Sequence, residues 1–263
     1  MREEGSLMTD AIRAVLFDLD DTLLRYRRSS GRLLRESFDA VGIDPIFPVE
    51  AYYDQFRRFA DRTDSVAELR RECFAALCAD RGRDPDLGRR VADVYADERD
   101  HRNVEWIPGA REVMTSLSER YRVGVVTNSP ADSARQKIDA AGVEEYAETV
   151  VFAGHDTPAK PAPDPFYRAL SDLGVDPTAA VHVGDSWESD VAGATAAGLR
   201  SVLFAPDAEE AESGETDGSV DGQGGPDHRI ATMPELRSLP WTEGRQGSGG
   251  GRATDDTQGS HPN

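Results

Sequence analysis

Five short apolar runs recur along the chain, at residues 14–17 (AVLF), 123–126 (VGVV), 149–152 (TVVF), 180–183 (AVHV) and 201–204 (SVLF), each followed by helix signals or a long interruption. A strand that reads as one apolar run rather than as an alternation is buried on both faces. A succession of such strands and helices makes a parallel sheet covered by helices, with its ligand crevice at the carboxyl ends of the strands. Local punctuation agrees: Asp164-Pro165 supplies an N-cap and a first-turn proline, and Gly142, Gly174 and Gly198 stand where helix C-caps belong. The expected class is α/β, a Rossmann-like parallel sheet of about five strands with helices on both faces.

The first interruption is the longest, roughly 80 residues. Within it apolar residues recur at helical spacing, as Leu34/Phe38/Val41, Tyr52/Phe56/Phe59, Val66/Leu69/Cys73/Leu77 and Val91/Val94/Tyr95. About four amphipathic helices follow. An all-helical cap domain over residues 25–106, inserted into a core domain of residues 1–24 and 107–241, is the predicted organisation. Residues 207–226, DAEEAESGETDGSVDGQGGP, carry seven acids and no cation and read as a disordered acidic loop; the Gly/Ser-rich residues 242–263 read as a disordered tail.

Net charge of −19 over 263 residues argues against nucleic acid and anionic membrane surfaces as partners. The amino-terminal residues lack the pattern of a secretory signal, and no apolar run approaches the ~20 residues of a membrane span, so a cytoplasmic protein is expected. Lys137 and Lys160 are the only lysines, nearly all positive charge being arginine. Acid-rich, lysine-poor composition suits a salt-filled, halophile-like cytoplasm, where screening weakens self-repulsion. Cys73 and Cys78, five apart in a helical stretch, read as small buried apolar residues rather than redox or metal ligands.

Polar residues with chemistry follow each apolar run. The first ends in Asp18-Leu19-Asp20-Asp21-Thr22, where Asp18 and Asp20 share one side of an extended chain and Asp21 does not. Such a pair serves to ligate a hard cation, to attack as a nucleophile or to move protons, and the residues alone leave these uses open. The second run leads into Thr127-Asn128-Ser129, a hydroxyl and an amide at the crevice that also suit an ordinary turn. After the third, Lys160 stands between prolines, a stiffly held point charge suited to a phosphate or carboxylate cluster. The fourth ends in Gly184-Asp185, with Asp190 near the start of the next helix.

These four elements, in order, resemble the haloacid dehalogenase-like (HAD) hydrolase superfamily, in its phosphatase branch with a helical cap inserted after the first motif. Its DxDxT pattern is matched by Asp18 to Thr22, its Ser/Thr motif by Thr127, its Lys motif by Lys160 and its GDxxxxD motif by Gly184 to Asp190; the resemblance covers roughly residues 12–240. It implies that Asp18 attacks phosphorus to form an aspartyl-phosphate. Asp20 would protonate the leaving oxygen and then deprotonate water, while Thr127, Asn128 and Lys160 hold the phosphoryl group. It further implies Mg²⁺ held by the side chains of Asp18 and Asp185 and the Asp20 carbonyl, with Asp190 in or next to the shell. Asp21 and Thr22 are expected to shape the turn.

The expected activity is therefore Mg²⁺-dependent hydrolysis of a phosphate monoester of a small metabolite by a monomer or homodimer. Phosphomutases keep both acids and stay as an alternative, as do 2-haloacid dehalogenases, although an acid at Asp20 speaks for phosphate chemistry. A non-catalytic scaffold would have lost motif residues, and a receiver-like signalling domain would carry its acid after the third strand, where Ala-Gly-His follows Phe152 instead. Arg25, Arg27 and Arg28 read as a solvated basic face rather than a substrate contact. Tyr52, Tyr53, Phe56 and Trp106 read as cap core, and His155 and His182 as structural.

Overall fold

A computed structural model describes residues 11–59, 65–206 and 225–243. At its centre six strands lie side by side: β1 (Ala14–Phe17), β4 (Arg122–Thr127), β5 (Thr149–Phe152), β6 (Ala180–Gly184), β7 (Arg200–Phe204) and β8 (His228–Ile230). They form one all-parallel sheet in the order β5-β4-β1-β6-β7-β8. Alternate side chains of β1 serve opposite faces, as the pleat requires. Val15 and Phe17 join α5 (Ala110–Ser118) and α6 (Ala131–Ala141) in one buried cluster, while Ala14 and Leu16 join α7 (Asp164–Leu173) and α8 (Ala192–Ala196) in the other. The Rossmann-like α/β class is as expected. The sixth strand is an addition: β8 has only three residues, of which Ile230 alone is apolar and buried, too short to show a period. A 3₁₀ helix (Met233–Ser238) and α9 (Pro240–Glu243) end the described chain.

Four helices stand between β1 and α5: α1 (Ser30–Val41), α2 (Val49–Phe59), α3 (Val66–Ala79) and α4 (Pro85–Asp97). Sequence dictates their ends. Ser29 caps α1 through Arg32 N, Ser65 caps α3 through Glu68 N, and Asp84 caps α4 through Asp86 N ahead of Pro85. Their apolar stripes converge on Phe38, Phe47, Tyr52, Phe74 and Tyr95, whose rings meet edge to face at 5.0–6.2 Å. Cys73 and Cys78 are free and buried there. Chain enters and leaves this segment through an antiparallel ribbon, β2 (Leu24–Tyr26) paired with β3 (Val104–Trp106), whose strands lie about 80 residues apart and are too short to read from sequence.

Two local expectations change. Trp106 packs with the sheet's core rather than with the four helices; its ring meets Tyr146 and its indole N–H donates to Ala141 O at 3.1 Å. Tyr53 is 43% exposed. The basic cluster is paired as a solvated face should be, with Arg25 and Arg27 on Glu105 and Arg28 on Glu36 and Glu98. Residues 207–224 of the acidic stretch and 244–263 of the tail lie outside the described residues. No described helix is long and apolar enough to cross a membrane.

Candidate active site

The order of the sheet reverses at β1, with β4 on one side and β6 on the other. Helices cross to opposite faces at such a switch point and leave a crevice beyond the strand ends. A cavity of about 300 Å³ lies there, lined by Asp18, Asp20, Thr127, Asn128, Lys160, Asp185 and Asp190 among others. All seven residues singled out by sequence thus meet in one place.

Lys160 organises the floor. Its ammonium, almost wholly buried, donates to Asp18 Oδ1 at 2.6 Å, to Asp190 Oδ1 at 2.6 Å and to Val126 O at 2.8 Å, so all three N–H groups are used. Asn128 fixes the lysine's backbone, its Oδ1 accepting from Lys160 N at 2.9 Å and its Nδ2 donating to Lys160 O at 3.0 Å. That reciprocal pair holds Lys160, and Asn128 also lines the cavity, where phosphate contact is expected of it. Thr127, 1% exposed, accepts from Ser129 N through Oγ1 at 3.1 Å and keeps its hydroxyl proton to donate.

Asp190 belongs to the same floor. It sits in a π-helical turn (Trp187–Val191) before α8, capped by Ser186. Its Oδ1 also meets His182 Nε2 at 2.9 Å, and its Oδ2 accepts from Ser186 N at 3.0 Å. Gly184 makes room for it: a Cβ at that position would stand 2.3 Å from Asp190 Cγ. Burial works against charge on Asp190, but the His182 hydrogen bond and the Lys160 charge outweigh it and hold the carboxyl well below the usual carboxylate range. Burial likewise lowers the His182 pKa, which leaves a neutral ring whose Nε2–H donates to Asp190 and whose Nδ1 is buried without a partner. His182 is therefore structural as expected, but it reaches the site through Asp190.

Asp18 has less support. It shares Lys160 with Asp190, and burial pushes its carboxyl up to about 8 in spite of that lysine, with the Asp190 charge adding to the rise. Asp185 is pushed up to about 6, first by lost hydration and then by the charges of Asp190 and Asp21. One carboxylate oxygen each of Asp18, Asp185 and Asp190 lies within 4.8 Å of the others. Three carboxylates against one ammonium leave negative charge that a hard dication would offset, and the donor set is all oxygen. Asp18 and Asp185 suit such an ion best, because Asp190 already spends both oxygens on Lys160, His182 and Ser186.

Thr22 does other work than the turn-shaping expected of it. Fully buried, it donates from Oγ1 to Asp185 Oδ1 at 3.1 Å and so aims the far carboxylate. The turn itself belongs to Asp21, whose φ of 57° is left-handed and whose N–H donates to Leu24 O at 2.8 Å. Asp20 faces a different partner from Asp18. Lys137 Nζ reaches its two oxygens at 2.7 and 2.8 Å, and Ser129 donates its hydroxyl to Oδ2. Sequence reasoning misses Lys137. The signal that could find it is a lysine beside Ala131, Ala134 and Ile138, the inward stripe of α6, in a chain with one other lysine.

Comparison with known proteins agrees with this geometry. A family model for haloacid dehalogenase-like hydrolases matches residues 12–198. The chain belongs to that family. This HAD hydrolase is 30% identical over 242 residues to the ribulose-1,5-bisphosphate 5-phosphatase of Halopiger xanaduensis, covering 86% of this chain and 98% of the relative. It is 27% identical over 212 residues to the N-acylneuraminate-9-phosphatase of Rattus norvegicus, covering 73% and 82%. Among solved structures, a 2-haloacid dehalogenase from Pseudomonas syringae superposes with a TM-score of 0.56 at 28% identity, covering 86% and 97%.

Proposed function

We propose that this HAD phosphatase hydrolyses the phosphate monoester of a small metabolite through an aspartyl-phosphate on Asp18, with Mg²⁺ bound by Asp18, Asp185 and the Asp20 carbonyl. The observation that carries the reading is the confinement of Asp18, Asp20, Thr127, Lys160 and Asp185 to one small cavity at the sheet's switch point. The four-helix segment, residues 25–106, serves as a cap that selects the substrate, and residues 1–24 and 107–241 form the catalytic core. A cytoplasmic location and a monomer or homodimer complete the proposal.

An Asp18 oxygen attacks phosphorus as the ester P–O bond breaks, and the departing oxygen takes the Asp20 proton. Water then gives its proton to the Asp20 carboxylate and attacks phosphorus, which breaks the acyl-phosphate bond, releases phosphate and restores Asp18. The Thr127 hydroxyl donates to the phosphoryl oxygens in the transition state, and Lys160, its three N–H groups kept by Asp18, Asp190 and Val126, offsets their growing charge electrostatically. Bound Mg²⁺ would screen the nucleophile from the phosphate and keep Asp18 ionised. Asp20, a third exposed and paired with Lys137 at the cavity's mouth, would meet first the leaving oxygen and then the attacking water.

The likeness to a dehalogenase favours a second reading, attack of Asp18 on the carbon of a 2-haloacid. That chemistry has no use for an acid/base at Asp20, whereas here three groups are spent on holding one: Lys137, Ser129 and the turn at Asp21. A panel of phosphorylated metabolites and 2-haloacids, assayed with Mg²⁺ at several salt concentrations, separates the two. Phosphate release that is lost in Asp18→Asn is expected; halide release without phosphate release would overturn the proposal.

A further inference from the structure

Lys137 stands outside every motif of the family pattern, yet it is one of two lysines in 263 residues and the fold places each of them on one aspartate of the first motif. Its side chain is 3% exposed. The inward face of α6 is otherwise apolar, and a buried ammonium there costs several kcal/mol unless it is paired. What only the lysine supplies is a fixed cationic donor.

The ammonium touches three elements at once. It donates to both Asp20 oxygens and to Ser129 Oγ at 3.0 Å, and it lies 5.0 Å from the centre of the Tyr26 ring. Tyr26 is itself held, its hydroxyl 2.7 Å from His101 Nδ1 and its ring stacked under the Arg99 guanidinium at 4.4 Å. Ser129 closes the figure by donating to Asp20 as well. Left alone at the cavity mouth, a short carboxylate would turn freely, and a misplaced proton donor loses much of its effect.

We propose that Lys137 is a positioning residue for Asp20: with Ser129 and the Tyr26 ring it holds the carboxyl in the one orientation that meets the leaving oxygen. The ammonium holds both Asp20 oxygens and Ser129 holds Oδ2 as well, so Oδ1, with the fewer partners, is the oxygen that meets the ester. This inference rests on the reading of Asp20 as acid/base. It predicts that losing Lys137 hurts only substrates whose leaving group needs a proton.

The test compares kcat/KM for phenyl phosphate, a poor leaving group, and 2,4-dinitrophenyl phosphate, which departs without protonation, in the full chain with Mg²⁺. Lys137→Met should lose about tenfold to a hundredfold with phenyl phosphate and less than about threefold with the dinitrophenyl ester. Lys137→Arg should recover part of the loss, and Asp20→Asn should show the same selectivity on a larger scale. Equal losses on both esters in Lys137→Met, or none on either, would overturn the proposal while Asp20→Asn remained selective. A non-selective Asp20→Asn would overturn the acid/base reading and this inference with it. Should Lys137→Met fail to fold, judged by its melting curve, Ser129→Ala must show the same selectivity in smaller measure for the proposal to stand.

Discussion

The two lysine–aspartate pairs of this site differ in everything but their chemistry. Lys160 and Asp18 are sealed in the floor, with Lys160 saturated by two carboxylates and a carbonyl. Lys137 and Asp20 meet at the mouth, where the carboxylate is a third exposed. The floor pair is held by buried hydrogen bonds and cannot turn, and that suits a nucleophile whose position must not vary. The mouth pair keeps a carboxyl both held and wet, and that suits a group that must give and regain a proton within one turnover. Two identical side chains, two residues apart, are thus separated by burial and by the element each partner comes from.

Removing Lys160 should break the floor more than removing Lys137 breaks the mouth. Lys160→Met strips two buried carboxylates of their shared partner and should cost about 3–5 kcal/mol of stability, read by denaturant unfolding. It should also lower kcat about 10²–10³-fold in whatever fraction folds. Lys137→Met, by contrast, should melt closer to wild type and lose activity selectively by leaving group. If the two variants proved equally unstable, the distinction between floor and mouth would fall.

Acidity marks the floor. The Asp18 carboxyl is raised from 3.8 to about 8 by burial, and Asp185 to about 6. A group whose folded-state pKa is raised stabilises the fold below its unfolded value and loses that contribution as pH climbs through the folded one. The metal-free protein should therefore lose stability from about pH 4 to pH 8. Mg²⁺ must displace the same protons, so its affinity should climb over the upper part of that window. Melting temperatures with and without Mg²⁺ at pH 5 and pH 8 check this: a larger Mg²⁺-induced rise at pH 8 is expected, and a larger rise at pH 5 would contradict it. The smallest effect should come from Gly184→Ala, whose new Cβ crowds Asp190 and should cost about 1–3 kcal/mol with a parallel loss of activity. A wild-type melting curve would mean that Asp190 is not pinned as described.

The same contrast explains what sequence can reveal. Asp18, Thr127 and Asp185 stand at the ends of apolar strands, and Lys160 in the loop that follows another, so position along the chain is enough to bring them to one edge of the sheet. Lys137 lies in mid-helix, and its meeting with Asp20 depends on how α6 rotates over the sheet, which no local pattern encodes. Thr22 reads as a turn residue because its partner, Asp185, is 163 positions away. Ribbon strands β2 and β3 and the edge strand β8 have three residues each, below the length at which an alternation can be recognised. The four helices are legible because each carries several turns of apolar spacing and three have caps of their own.

The central claim is that Asp18 carries the phosphoryl group. Acid quenching during turnover of 2,4-dinitrophenyl phosphate with Mg²⁺, followed by borohydride reduction and peptide mass spectrometry, converts an aspartyl-phosphate to homoserine at the residue that bore it. Homoserine at position 18, absent from Asp18→Asn, is the predicted result. Turnover that continues with Asp18 unmodified in wild type, or that persists in Asp18→Asn, would contradict the account.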